Sequence, residues 1–281
     1  MPPPAQHPQY YYPDGSITFL LPSSNMLYKL LRSQLVQQSD HFSTLFSLKP
    51  LDPGEGMNDT NPIILPGVTA AEFDHICAFI TGQFDDTVEG LASLLNLGTF
   101  LQMSRPRNYA FQHLNANTSW SPFLKLHLGI RNGISEWTEA AFRHIVFNVP
   151  LEDISLKDVL CIGGPAYWAI VQAKAGVQEH RCLLAFDWPE AVHAPGCKLS
   201  TSCGIAWKSE WWYTFAKCVL HPDNKYSPAE ALEEVELAET QYMHDACKAL
   251  TIQAVREDGG LEQSEEAVQA ALKSLLQFVE Q

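Results

Sequence analysis

DGSITFLLPSSNMLYKLLRSQLVQQSDHFSTLF, residues 14–46, is the stretch that decides the fold of the first part of this chain. Apolar side chains alternate with their neighbours over residues 17–21 and again over 26–30, which is the two-residue period of β-strands. The Pro-Ser-Ser-Asn turn between these segments predicts a β-hairpin. From Leu31 the apolar spacing lengthens to four residues, which predicts two short helices, with Ser39 as the N-cap of the second.

The order of these elements resembles the start of a BTB (POZ) domain. The resemblance continues through a short strand at 62–66, a helix that begins at a Thr69–Glu72 capping box, and a closing helical pair, so that it covers residues 14–115. One position departs from the family, which usually has His where this chain has Leu31. The residues of the opening stretch that carry the resemblance are Asp14, Ile17, Phe19, Tyr28, Arg32, Leu35, Ser39, Phe42 and Phe46.

The resemblance implies an α/β (α+β) N-terminal BTB/POZ domain, in which a small sheet is surrounded by helices. An all-α region is expected to follow, and its residues 129–137 are similar to a segment found after the BTB unit in a group of fungal BTB proteins. The expected organisation is a disordered Pro-rich tail (1–13), the BTB domain (14–115), a helical extension (116–180), and an irregular Cys/His loop with C-terminal helices (181–281).

BTB domains act by self-association and by docking other proteins. The resemblance therefore implies a non-enzymatic adaptor or scaffold, with homodimerisation and recruitment of a cullin-3 ubiquitin ligase as hypotheses. The residues expected at the dimer surface are Ile17, Phe19, Leu31 and Leu35. The residues expected at the partner-docking surface are Phe42, Leu45, Phe46, Phe73 and Phe79.

Composition limits the classes of function. A net charge of −14 with only 18 Lys and Arg argues against broad binding to a nucleic-acid backbone. No apolar run reaches the roughly 20 residues of a membrane helix. Seven Cys without a framework spacing fit a reducing compartment. We therefore expect an intracellular protein, in the cytoplasm or nucleus, that binds other proteins but neither nucleic acid nor membrane.

A second feature of the sequence is a group of Cys and His residues in the second half. His193, Cys197 and Cys203 lie close together in an irregular segment, and Cys182 lies shortly before them. Thiolate and imidazole ligands suit zinc, so a structural zinc site is the one cofactor that the sequence suggests. The spacing matches no standard zinc finger, and the alternative is a set of scattered buried Cys with a surface His.

The C-terminal region is expected to be helical. Trp207, Trp211 and Trp212 are predicted to lie on one helical face, more simply a core face than a ligand platform. One long helix is predicted from Pro228 to about residue 257, and a last helix from Ser264.

Two alternative functions stay open at the level of sequence. A BTB-type transcriptional regulator would act through dimers, although no DNA-binding module is visible in the sequence. An enzyme in the C-terminal half, with zinc, is the other alternative. No Gly-x-Ser-x-Gly or His-Glu-x-x-His motif is present in the sequence, and no catalytic residue is assigned.

Overall fold

The structure is a computed structural model that describes residues 2–47, 54–221 and 226–279. It divides into two compact units, Met1–Thr138 and Glu139–Gln281. The fold is mixed α/β, with a small four-stranded sheet near the N-terminus followed mostly by helices. This agrees with the coarse fold class predicted from the sequence. Within the described residues, no helix is long and apolar enough to cross a membrane.

The sheet of the first unit has the strand order β1–β3–β2–β4. Strands β2 and β3 form the predicted hairpin, in which Phe19 lies opposite Tyr28. Strand β1 pairs with β3 and strand β4 with β2, both in parallel. The strands are β1 (Ala5–Tyr11), β2 (Ile17–Leu21), β3 (Met26–Leu30) and β4 (Ile63–Ile64).

The predicted disordered tail at 1–13 is wrong, because residues Ala5–Tyr11 form strand β1. Two of its residues explain the error: Tyr10 is a core residue, and the imidazole of His7 stacks on the ring of Tyr28 with 4.5 Å between centroids. His7 Nε2 also lies 3.2 Å from a carboxylate oxygen of Asp74. The strand is at the edge of the sheet, where Pro8 is tolerated.

Helices cover this sheet. Ser39 caps the second of them as predicted, since its hydroxyl accepts a 3.1 Å hydrogen bond from the N–H of Phe42 and donates to the carbonyl of Leu101. The Thr69–Glu72 capping box is also present. The helices are α1 (Arg32–Gln38), α2 (Asp40–Ser47), α3 (Ala70–Thr81), α4 (Val88–Phe100), α5 (Ser104–Ala116), α6 (Pro122–Asn132) and α7 (Ser135–Asn148).

The first unit extends beyond the boundary expected after residue 115. Leu128 of α6 and Trp137 of α7 belong to the same hydrophobic core as the sheet residues, and the ring of Trp137 stacks on that of Phe111 with 5.2 Å between centroids. These contacts place α6 with the N-terminal unit. The division between the units falls after Thr138, within α7.

The described residues of the second unit form helices joined by loops, and no strand is present among them. Helix α10 continues through a π-helical turn, Trp211–Ala216, into α11. Two short 3-10 helices, Leu151–Asp153 and Gly260–Glu262, precede α8 and α14. The α-helices are α8 (Leu156–Ile162), α9 (Gly164–Phe186), α10 (Ser200–Glu210), α11 (Lys217–Leu220), α12 (Pro228–Leu237), α13 (Asp245–Glu257) and α14 (Gln263–Val279).

The single long helix predicted at 228–257 is wrong, because the chain forms α12 and α13 with a break between them. Tyr242 lies in this break with a φ of 66°, a left-handed conformation that an α-helix excludes. The tryptophan prediction holds in part. Trp207 and Trp211 are buried in the core of the unit, whereas Trp212 is 45% exposed.

Candidate metal centre

Three separate segments of the second unit bring sulfur and nitrogen atoms together. His193 and Cys197 lie in the irregular segment 187–199, between α9 and α10. Cys203 lies near the start of α10 and Cys247 near the start of α13. One ligand atom from each of these four residues lies within 4.8 Å of all the others.

The distances suit a tetrahedral metal ion. Two zinc–sulfur bonds of about 2.3 Å at a tetrahedral angle place their sulfurs about 3.8 Å apart. The sulfur atoms of Cys197 and Cys203 are 3.8 Å apart. This distance is far longer than the roughly 2.05 Å of a disulfide, and both residues are free thiols. An ion of the size of zinc would therefore need little movement of this pair.

Hydrogen bonds to α13 hold the loop in place. The N–H of Val192 donates to the hydroxyl of Thr251 at 2.9 Å, and the N–H of Ala194 donates to the sulfur of Cys247 at 3.2 Å. A tight turn follows, in which Gly196 has a φ of 87° that favours glycine. This turn directs Cys197 back towards the sulfur of Cys203.

Burial and hydrogen bonding act on these thiols in opposite directions. The backbone N–H of Leu199 lowers the pKa of Cys197, and the thiols of Cys247 and Cys203 support the same direction. For Cys247, the N–H of Ala194 acts to lower the pKa, but burial and the neighbouring Cys197 outweigh it and the net pKa is raised. Backbone N–H groups directed at sulfur supply outer hydrogen bonds of the kind that orient and tune metal ligands.

Three of the four residues proposed from the sequence as zinc ligands meet at this centre: His193, Cys197 and Cys203. Cys182 does not belong to it; its sulfur lies on α9 and accepts a 3.7 Å contact from the amide of Gln178. Cys247 takes the fourth position and was not proposed from the sequence. It is a single Cys in a helix, distant in the chain from the others, so no local spacing marks it.

The residues expected at the dimer surface lie mostly inside the first unit. Ile17, Phe19 and Leu35 are core residues, and Leu31 is half-buried. The three core side chains stabilise the unit, and within this set Leu31 alone keeps exposed surface.

The residues expected at the docking surface are divided between core and surface. Phe42 and Phe73 are buried, whereas Phe46 and Phe79 are half-buried. Leu45 is 38% exposed and is the member of the set that a partner can reach directly.

Comparison with known proteins identifies no family for this chain. No protein-family model matches the chain, and no curated protein shows a significant match to it. The geometry of the chain itself therefore carries the functional argument.

Proposed function

We propose that this chain is a non-enzymatic interaction protein whose second unit is stabilised by a structural zinc ion. The observation that carries the metal site is the convergence of His193, Cys197, Cys203 and Cys247 within 4.8 Å. Three thiolates and one imidazole form a soft donor set that favours zinc over the oxygen-binding cations Mg²⁺ and Ca²⁺.

The number of ligands favours a structural role over a catalytic one. A catalytic zinc ion keeps one coordination position for water or substrate, whereas four protein ligands fill the tetrahedron. Cys203 and Cys247 are also fully buried within the core of the unit. Their burial leaves little room for a substrate on that side of the ion.

The ion would reinforce the hydrogen bonds that already hold the loop against α13. The segment 187–199 has no regular secondary structure, and zinc would join it to the starts of α10 and α13. Unfolded chains do not hold these residues together, so zinc binds the folded unit and its binding free energy stabilises the fold.

The experiment is elemental analysis of purified protein together with two matched variants. The wild-type chain and Cys182→Ser are expected to carry one zinc ion per chain, whereas Cys247→Ser is expected to carry much less. Cys182 is a suitable control because it is a half-buried helical Cys of the same unit that lies outside the cluster. Wild-type protein without stoichiometric zinc after purification in zinc-containing buffer would refute the proposal.

A second function, protein docking by the first unit, is proposed from the resemblance to BTB domains. The small sheet covered by helices is compatible with such a domain. The specific observation in its favour is α2, where Leu45 is exposed beside the half-buried Phe46. The guanidinium of Arg32 lies 4.7 Å from the ring of Phe46 and donates to its carbonyl oxygen, which fixes this side of the helix.

Two measurements test the docking function independently of zinc. Light scattering across protein concentration would show whether the chain forms homodimers. Capture of purified cullin-3, beside an adaptor known to bind it, would test the ligase hypothesis. We expect Leu45→Asp to abolish capture and Thr44→Asp, a change at the neighbouring exposed residue, to retain it. Failure of the wild-type chain to bind, while the control adaptor binds, would remove cullin-3 as a partner.

A further inference from the structure

The four residues of the metal cluster differ in their access to solvent. His193 is exposed and Cys197 is half-buried, whereas Cys203 and Cys247 are both 0% exposed. A small oxidant in solution therefore reaches Cys197 before it reaches either of the buried thiols. Exposure of this kind distinguishes cysteines that react with oxidants from buried, inert ones.

Cys197 has a second thiol close to its own. Its sulfur lies 3.8 Å from the sulfur of Cys203, about 1.8 Å farther than the roughly 2.05 Å of an S–S bond. The two residues are six positions apart in the chain, so a bond between them closes only a small ring. A thiol at this distance is placed to convert an oxidised cysteine into a disulfide.

The two cysteines differ in how firmly they are held. The N–H of Cys203 donates to the carbonyl of Leu199 at 2.8 Å near the start of α10, and its side chain belongs to the hydrophobic core of the unit. Cys197 follows the tight turn at Gly196 in the irregular segment 187–199 and packs on that core only in part. Movement of Cys197 alone would therefore close the gap, with α10 unchanged.

A bond between these two sulfurs would remove half of the metal site. Cys197 and Cys203 are two of the four residues whose ligand atoms converge, and a disulfide sulfur is no longer the thiolate that zinc requires. His193 and Cys247 would remain, with the sulfur of Cys247 still facing the N–H of Ala194. One imidazole and one thiolate do not complete the tetrahedron of a structural zinc ion.

We propose, on the basis of the zinc site proposed above, that Cys197 and Cys203 form a reversible disulfide that releases the zinc ion. Cys197 is the sulfur that the oxidant attacks, and Cys203 is the sulfur that resolves the product. Disulfides of proteins in reducing compartments are usually transient and redox-sensing, as this one would be.

Hydrogen peroxide is the oxidant for which the chemistry balances. The sulfur of Cys197 attacks one peroxide oxygen: an S–O bond forms, the O–O bond breaks, and the departing hydroxide takes up a proton to become water. The sulfur of Cys203 then attacks the sulfur of this sulfenic acid: the S–S bond forms, the S–O bond breaks, and a second water leaves. The two sulfurs together lose two electrons, which reduce the peroxide. Thiol–disulfide exchange with a dithiol returns both thiols.

The test is a titration of the zinc-loaded full chain with hydrogen peroxide. A chromogenic chelator reports the zinc released, and mass mapping of proteolytic peptides reports which cysteines are joined. We expect complete loss of the bound zinc in parallel with one Cys197–Cys203 disulfide per chain, and dithiothreitol with added zinc should restore the starting state. Cys182, half-buried in the same unit but outside the cluster, should remain a free thiol.

Two variants identify which sulfur is attacked, with Cys182→Ser as the matched control that should behave as the wild-type chain. In Cys203→Ser the resolving thiol is absent, so the sulfenic acid of Cys197 should accumulate and be trapped by dimedone. In Cys197→Ser the buried Cys203 should give no adduct at the same peroxide concentration. Circular dichroism shows whether each variant is folded, and peptide mapping of the wild-type chain needs no variant.

The outcomes for zinc and for the disulfide are distinguishable. Zinc-loaded protein that retains its zinc in peroxide, or that pairs Cys197 with a cysteine other than Cys203, would overturn the redox proposal and leave the zinc site intact. Protein that carries no zinc before peroxide is added would remove the zinc site, and zinc release with it. Peptide mapping of that protein still decides whether Cys197 and Cys203 pair.

Discussion

Removal of zinc is expected to lower the thermal stability of the second unit by a measurable amount. The structure gives the reason: the ion would join the segment 187–199 to α10 and α13, through Cys203 and Cys247. A ligand present at about 1,000 times its dissociation constant stabilises the folded state by about 4.1 kcal/mol. For a domain of this size each kcal/mol of stability moves the midpoint of thermal unfolding by roughly 2–4 °C. Chelation of zinc should therefore lower that midpoint by about 8–16 °C.

The assay is differential scanning calorimetry with free zinc set by a metal buffer, then repeated with a chelator. Cys247→Ser should unfold near the temperature of the chelated wild-type chain and should not respond to zinc. Cys182→Ser should respond as the wild-type chain does. The transition of the first unit should not move with zinc, because the cluster lies wholly in the second. A wild-type midpoint that is the same with zinc and with chelator would refute the reasoning.

Three further predictions concern the first unit, each checked by chemical denaturation. Thr69→Ala should lower the unfolding free energy by about 1 kcal/mol, because the N-cap of α3 is lost. Gly129→Ala should cost about 1–3 kcal/mol, since a Cβ there would lie 2.6 Å from the hydroxyl oxygen of Thr138; an unchanged midpoint would contradict this. Burial, and then the hydrogen bond to Asp74, raise the pKa of Tyr28 above its unfolded value of about 10. The stability that this shift contributes is therefore fully present below about pH 10 and is lost as the pH rises further. Tyr28→Phe should not show this loss of stability at high pH.

Local patterns in the sequence were sufficient for much of the first unit. The alternation at 17–21 and 26–30 predicted the hairpin, and Ser39 and Thr69 marked the starts of α2 and α3. These predictions depend on neighbours within a few residues. The strand β1 was missed for the opposite reason: its Pro-rich composition is typical of a tail, and the contacts that stabilise it, such as its pairing with β3 and the burial of Tyr10, come from distant parts of the chain.

Gly98, within a helix, also shows where prediction from local sequence fails. A glycine inside a helical pattern is a common sign of a break, but α4 runs through Gly98 without interruption. A Cβ at Gly98 would lie 3.0 Å from the backbone nitrogen of Arg107, so the glycine permits close packing of α4 against α5. Tertiary packing decides whether a glycine ends a helix or lets a neighbouring helix approach closely. The local sequence does not reveal that packing.

For the metal centre too, some of the ligands could be predicted from the sequence and one became evident only from the tertiary structure. The sequence by itself indicated His193, Cys197 and Cys203 as candidate ligands of one site, because thiolate and imidazole suit zinc and the three occur within residues 193–203. Only the tertiary structure decided that Cys247, and not Cys182, completes the set, since the fold of α13 against the loop places that sulfur within 4.8 Å of the other ligand atoms. A single Cys in a helix has no spacing to reveal its partners, and contacts across many residues arise only when the core of the unit is assembled.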